Sequence, residues 1–182
     1  MILTWLILIP FIGGFLSWQA DRFGTLLPRW IALGTMLLLF GLSLNIWLSH
    51  DFSLAGLTNG EPKWVLEYQA QWIPHFGIGW HLALDGLSLL MIMLTGFLGV
   101  MAVLCSWTEI TKFVGFFHLN LLWIIGAVVG VFLAIDLFLF FFFWEMMLVP
   151  MYFLVGLWGH STPGGLSRVQ AATKFFIYIH YR

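Results

Sequence analysis

The sequence predicts an all-α fold, a polytopic bundle of transmembrane helices, and three observations carry that expectation. Of its 182 residues, 62% are apolar and 8% charged, against about 25% charged in an ordinary soluble domain. The apolar residues gather in five long runs, each able to form a helix that crosses a hydrocarbon core of about 30 Å. Many of the eleven Trp fall near the ends of those runs, as interfacial belts require. A net charge of −1 gives no footing for nucleic acid or an acidic partner, so the lipid bilayer is the first partner the sequence names.

In chain order the predicted spans are 2–19, 30–48, 81–105, 114–135 and 137–157. The first has an apolar core and a small residue at Ala20, but no basic residue precedes it and Arg22 follows it. It therefore reads as a retained helix and not a cleaved signal. The first two helices make up residues 1–48. Segment 49–80 lies on the outer side, where Pro62, Pro74, Trp64, Trp72 and a short apolar alternation suggest a loop or hairpin covering the bundle. Residues 81–157 carry helices three to five. The apolar block 114–158 as one helix would be roughly 67 Å long, so Asp136 breaks it and caps the fifth helix with its carboxylate. Gly126 and Gly130 form a small-residue face in the fourth helix that admits a close neighbour. Residues 158–182 are a loop and SRVQAATKFFIYIHYR, an amphipathic sixth helix that stops after about 14 residues, too few to span. That ending reads as a piece of a longer chain.

Basic residues sort the loops. Loop 21–29 carries Arg22 and Arg29, loop 106–113 carries Lys112, and loop 158–168 carries Arg168. Loop 49–80 carries Lys63 among three acids, and the turn at Asp136 carries no basic residue. By the positive-inside rule the N-terminus and loop 49–80 lie outside. In a bacterium that is the periplasmic side of the inner membrane.

The chemistry is concentrated in one residue. Glu145 is the only charge in LFLFFFFWEMMLVPMYFLVGL and lies roughly 3 Å from the midpoint of a helix about 32 Å long. An acid at that depth costs about 2.5–3.5 kcal/mol on insertion scales and is a functional site by default. The sequence places it as a buried proton or cation carrier; the bland alternative is a neutral carboxyl in a helix–helix hydrogen bond. Pro150 deprives the carbonyl of Met146 of its partner and kinks the helix one turn away, which suits a hydrated cavity beside the acid. Asp85 in LDGLSLL reads chiefly as a helix-start acid, and Glu109 with Lys112 as a surface pair. Cys105 is the single cysteine, so there is no thiolate set for zinc or an iron–sulfur cluster. No two His stand three or four apart in the chain, and no glycine-rich phosphate loop follows a strand. The chain is expected to hold no cofactor and no metal of its own.

WLILIPFIGGFL, WIPHFGIGWHLALDGLSLLM, GFFHLNLLWIIGAVVGVFLAIDLFLFFFFWEMMLVPMYFL and RVQAATKFFIY resemble the antiporter-like membrane subunits, chain M type, of bacterial NADH–quinone oxidoreductase, respiratory complex I. The resemblance runs to about Tyr178, and IHYR departs from it. It implies a first third of a fold of about fourteen helices with two inverted five-helix repeats. It implies that Glu145 is the proton carrier of the first repeat and works beside a lysine beyond residue 182, while Lys174 matches a basic position that tunes Glu145 electrostatically. For Lys174 a snorkelling side chain is the competing reading. NADH, FMN, iron–sulfur clusters and quinone are then implied in partner subunits, and this chain is the proton-translocating part. Two alternatives share the architecture: a subunit of a multisubunit monovalent cation/proton antiporter, or of a membrane-bound hydrogenase. A third reading makes the chain a passive scaffold.

Overall fold

The computed structural model describes residues 1–49, 64–73, 78–159 and 167–180. Five of its helices are long and apolar enough to cross a membrane. They are α1 (Ile2–Ala20), α2 (Leu26–Ser49), α3 (Gly86–Glu109), α4 (Val114–Leu133) and α5 (Leu137–Trp158), followed by a short α6 (Arg168–His180). A single 3₁₀ turn, Asp21–Phe23, joins α1 to α2.

Between α2 and α3 the chain forms an antiparallel hairpin, β1 (Leu66–Ile73) and β2 (Ile78–Leu84). This corrects two expected boundaries. The outer segment does not end at residue 80, and the third helix does not begin at His81 but at Gly86. The apolar letters of His81-Leu-Ala-Leu belong to a strand, with Leu82 opposite Tyr68 and Leu84 opposite Leu66. In β1 the polar residues Glu67, Gln69 and Gln71 alternate with Leu66, Tyr68 and Ala70, the period of a ribbon with one face down. Leu82, Ala83 and Leu84 are buried, so the hairpin sits on the bundle. It is also tied to the α4–α5 turn, where Ile135 N–H donates to His81 O at 3.3 Å. Glu67 Oε1 and His81 Nε2 pair across the ribbon at 2.7 Å.

Both helix-start acids behave as caps. Asp136 accepts from Phe138 N and Leu139 N at 2.7 and 3.3 Å, satisfying two of the four orphan donors of a helix start. Asp85 stands just outside α3, not one turn inside it, and accepts from Ser88 N at 2.9 Å. Burial alone would push its carboxyl up, but the hydrogen bonds from Ser88, with those from backbone N–H groups, outweigh that and hold it below the usual carboxylate value.

The helix order in space differs from the order in sequence. α1 lies along α4, where Gly14 meets Leu119 and Leu122, and Gly115 meets Ser17 and Asp21. α2 packs on α3 through Phe40 against Gly96 and Met36 against Gly99. The core runs through Leu6, Met36, Leu39, Ile92, Leu122, Val129 and Phe143. Gly126 and Gly130 do admit close neighbours, but these are two aromatic rings on two helices: Phe11 of α1 and Phe143 of α5. A β-carbon at Gly130 would come within 2.5 Å of the Phe143 ring.

The two ends of the bundle are unlike. At one end lie the hairpin and the Asp136 turn. At the other, polar side chains bind the loops: Arg29 Nη2 donates to Ile110 O at 2.9 Å, Trp158 Nε1 to Lys112 O at 3.1 Å, and Arg168 Nη1 to Leu157 O at 3.1 Å. Arg29, Lys112 and Arg168 thus share one end, as the charge pattern of the sequence anticipated. Glu109 and Lys112 are both exposed there and form no ion pair among the described residues.

Candidate functional site

Glu145 stands near the middle of α5, an uninterrupted 22-residue helix. On the described helices Glu145 is exposed. The reason is geometric. α5 is apolar on every side, so its letters do not say which face turns inward; buried Leu139, Phe143 and Pro150 share one stripe, buried Leu148 stands roughly opposite them, and Glu145 lies off the Leu139–Phe143–Pro150 stripe.

Its own stripe is informative. Residues seven and eleven positions on from Glu145 fall within about 20° of it around the helix, and these are Tyr152 and Gly156. Both are α6 contacts. The Tyr152 and Phe176 rings are 6.0 Å apart, and a β-carbon on Gly156 would meet Ala172 Cβ at 3.8 Å. The two helices run antiparallel, with Arg168 beside Gly159, Ala172 beside Gly156 and Phe176 beside Tyr152. Glu145 therefore lies on the seam that α6 covers lower down, two turns past Tyr152.

The same register separates the sequence-predicted pair. Lys174 falls level with about Leu154, so its backbone is roughly 13 Å along the axis from that of Glu145. It is two residues from Ala172, hence about 160° around the helix from the packed face, and it is exposed. The described residues do not bring Lys174 and Glu145 together.

Pro150 is buried and lines a groove of about 310 Å³ between α4 and α5, together with Asn120, Trp123, Met146 and Phe153. Glu145 does not line it. The walls are apolar except for Asn120, whose amide donates to Phe116 O at 2.7 Å. Trp144, next to Glu145, is exposed and stacks on Phe140 with ring centroids 6.1 Å apart.

Among the described residues no group of His, Cys, Asp and Glu could hold a metal ion. The buried polar residues Ser17, Ser43, Ser106, His118 and Asn120 were not singled out from the sequence, and His118 is the one that can titrate. His118, in the second turn of α4, is fully buried. The available signal was a ring-bearing polar residue one turn from Gly115 inside an apolar run.

The comparisons define the class first. Residues 134–181 match the family described as NADH:quinone oxidoreductase/Mrp antiporter, TM, and the helices are the N-terminal part of an antiporter-like fold. The resemblance read from the sequence stands, and it is to one kind of subunit. The chain is 67% identical over 178 residues to NADH-quinone oxidoreductase subunit M of Escherichia coli K12, a match covering 98% of this chain and 35% of that one. It is 66% identical over 179 residues to the subunit of the same name in Pseudomonas aeruginosa, with the same coverage. Among solved structures it is similar to a chain of respiratory complex I from Thermus thermophilus with bound NADH, at a TM-score of 0.77 and 26% identity, covering all of this chain and 33% of that one. The chain thus spans about a third of the length of the relatives it matches.

Proposed function

We propose that this chain supplies part of the proton-translocating membrane subunit of an NADH–quinone oxidoreductase, with NADH oxidation and quinone reduction carried out in other subunits. The observation that carries the reading is Glu145, a lone carboxylate in the middle of an otherwise uncharged span and on the α5 stripe shared with the α6 contacts. A carboxyl on a helix–helix seam can be lined by groups from both helices, whereas one facing lipid can only be neutral and idle. The 67% identity to a subunit M supports the assignment.

In this reading Glu145 accepts a proton and passes it on when a nearby cation moves or changes charge. Lys174 is too far along the helix to touch it, so it acts through the longer-range field. The groove at Pro150 is a packing surface for apolar segments. FMN, iron–sulfur clusters and quinone belong to the partner subunits, and this chain contributes no redox centre. The Arg-bearing end faces the cytoplasm and the hairpin faces the periplasm of a bacterial inner membrane, supported by the basic residues clustered at one end.

The test is Glu145→Gln in the complete complex, read as proton uptake coupled to NADH oxidation in membrane vesicles. The amide keeps shape and hydrogen bonding but carries no proton, so assembly is retained and most coupled pumping is lost. Glu145→Asp loses less. Unchanged pumping in the Gln variant would remove Glu145 from the mechanism and leave the scaffold reading. The name of the matched family also covers Mrp antiporters; sodium-dependent exchange without NADH would favour that alternative.

A further inference from the structure

The groove of about 310 Å³ between α4 and α5 has no part in the Glu145 site. One long side is Phe116, Leu119 and Trp123 of α4, and the other is Met146, Val149 and Phe153 of α5. The helices are antiparallel, so Phe116 meets Phe153 at one end, their rings 5.7 Å apart, and Trp123 comes level with Met146 at the other. The Phe116 end is the Arg-bearing end. There the Phe116 and Trp158 ring centroids are 6.1 Å apart, and Trp158 Nε1 donates to Lys112 O at 3.1 Å. The groove thus begins beside Lys112 and runs inward. Trp123 lies about 14 Å along the axis from the start of α4, close to half of a hydrocarbon core of about 30 Å. That is the depth of one lipid leaflet.

The lining says what can fill it. Asn120 is the polar residue among the described lining, and its amide is already spent on Phe116 O at 2.7 Å, so water finds few partners there. Trp123, Val149 and Phe153 are exposed on these helices, and the groove opens outward. A further helix fits it poorly. Membrane helices approach closely over small residues, and those of α4 are committed elsewhere: Gly115 to Asp21, Gly126 to Phe11 and Gly130 to Phe143. A helix 10–12 Å across would also displace roughly 800–1,100 Å³ over the groove's length of about 10 Å, several times the space there. A single acyl chain is slender and flexible enough to follow the groove and recover the dispersion contacts that an empty one forfeits.

We propose that the α4–α5 groove binds one acyl chain of an anionic phospholipid, with Lys112 at its mouth paired to the lipid phosphate. The charge at this end is complementary: Arg22, Arg29, Lys112 and Arg168 stand there against Asp21 and Glu109. Arg29 and Arg168 each donate to a backbone carbonyl, whereas Lys112 is exposed and forms no ion pair among the described residues. Its flexible four-carbon stem lets the ammonium swing over the mouth. Trp158 sits at headgroup level, as interfacial indoles do. Glu145 does not line the groove, and nothing in this inference depends on its role.

Photocrosslinking of the complete protein in phosphatidylcholine vesicles tests the site. The vesicles carry a small fraction of a lipid with a diazirine midway along one acyl chain, on either a phosphatidylglycerol or a phosphatidylcholine headgroup, and mass spectrometry of peptides locates the adducts. The phosphatidylglycerol probe should label 116–123 and 146–153 roughly fivefold more than the phosphatidylcholine probe, the factor that one surface cation is worth to an anionic lipid. Adducts on the outer face of α1 around Ile12 should show no such preference. Lys112→Gln should bring the two probes level in the groove. Val149→Trp, which fills the groove from its exposed wall, should lower labelling of 116–123 by both. No adducts in the groove of the unsubstituted protein would mean that a protein segment covers it, and overturns the proposal. Equal labelling by the two probes there makes it ordinary lipid contact and also overturns it, as does a preference that survives Lys112→Gln.

Discussion

α4 and α5 are adjacent, antiparallel and almost equally apolar, yet they occupy opposite positions in the molecule. Half of the most apolar stretch of α4 is buried inside these helices, against 22% for α5. α4 touches α1, α2, α3, α5 and the hairpin, whereas α5 packs chiefly on α4 and α6. Composition explains the difference only in part. α4 places Gly115, Gly126, Ala127 and Gly130 where neighbours approach, and small residues are what let membrane helices pack closely. α5 instead opens with Leu137 and the Phe-rich stretch 138–143, whose rings make a broad surface that neighbouring side chains cannot enter deeply. The central helix sets small residues at its closest contacts and the peripheral one opens with large ones; Glu145 is on the peripheral one.

Substitutions on the two helices test that contrast. The largest effect is expected at Leu122, fully buried on α4. Leu122→Ala should destabilise the bundle toward the lower end of the roughly 2–5 kcal/mol seen in soluble cores, because an unpacked helix in lipid still buries its apolar atoms. Unfolding in mixed detergent micelles measures it; an effect below 0.5 kcal/mol would mean α4 is not central. Gly130→Ala comes next. The new methyl would meet the Phe143 ring, an overpacking worth about 1–3 kcal/mol, and Gly130→Ala combined with Phe143→Leu should recover part of it. Asp136→Ala removes the side-chain cap at the start of α5 for about 1 kcal/mol, with Asp136→Asn nearly neutral. The smallest effect belongs to Phe141, 55% exposed on α5: Phe141→Ala should stay within about 0.5 kcal/mol. A loss as large as that of Leu122→Ala would show that this α5 surface is packed against another protein element.

The spans were legible in the sequence because hydrocarbon selects for apolar length, a property that composition carries directly. The helix breaks at Asp136 and the location of the basic end were legible for the same reason, since both rest on charge. The start of α3 was misplaced because a half-buried strand such as Ile78–Leu84 supplies apolar letters that merge with the helix after it. α2 begins at Leu26, earlier than its apolar run suggests, because Pro28 falls in its first turn, where a missing N–H costs nothing. The face on which Glu145 stands was not legible, because a helix apolar all round has no stripe to read. His118 was overlooked because an apolar run on both sides of it gives no local pattern that tells a buried imidazole from an outward-facing one.

The pairing of α1 with α4 constrains how the chain is made. Gly14 waits for Leu122 and Phe11 for Gly126, partners that leave the ribosome only after the intervening hundred or so residues have been synthesised. At about 5–20 residues per second that is a delay on the order of 5–20 seconds. During it α1 rests in the bilayer with α2 as its sequence neighbour and its glycine face against lipid tails. Insertion and assembly are therefore separate events in this protein: α4 arrives as the keystone, and the hairpin, hydrogen-bonded to the turn that follows α4, can close over the bundle only after α4 is in place.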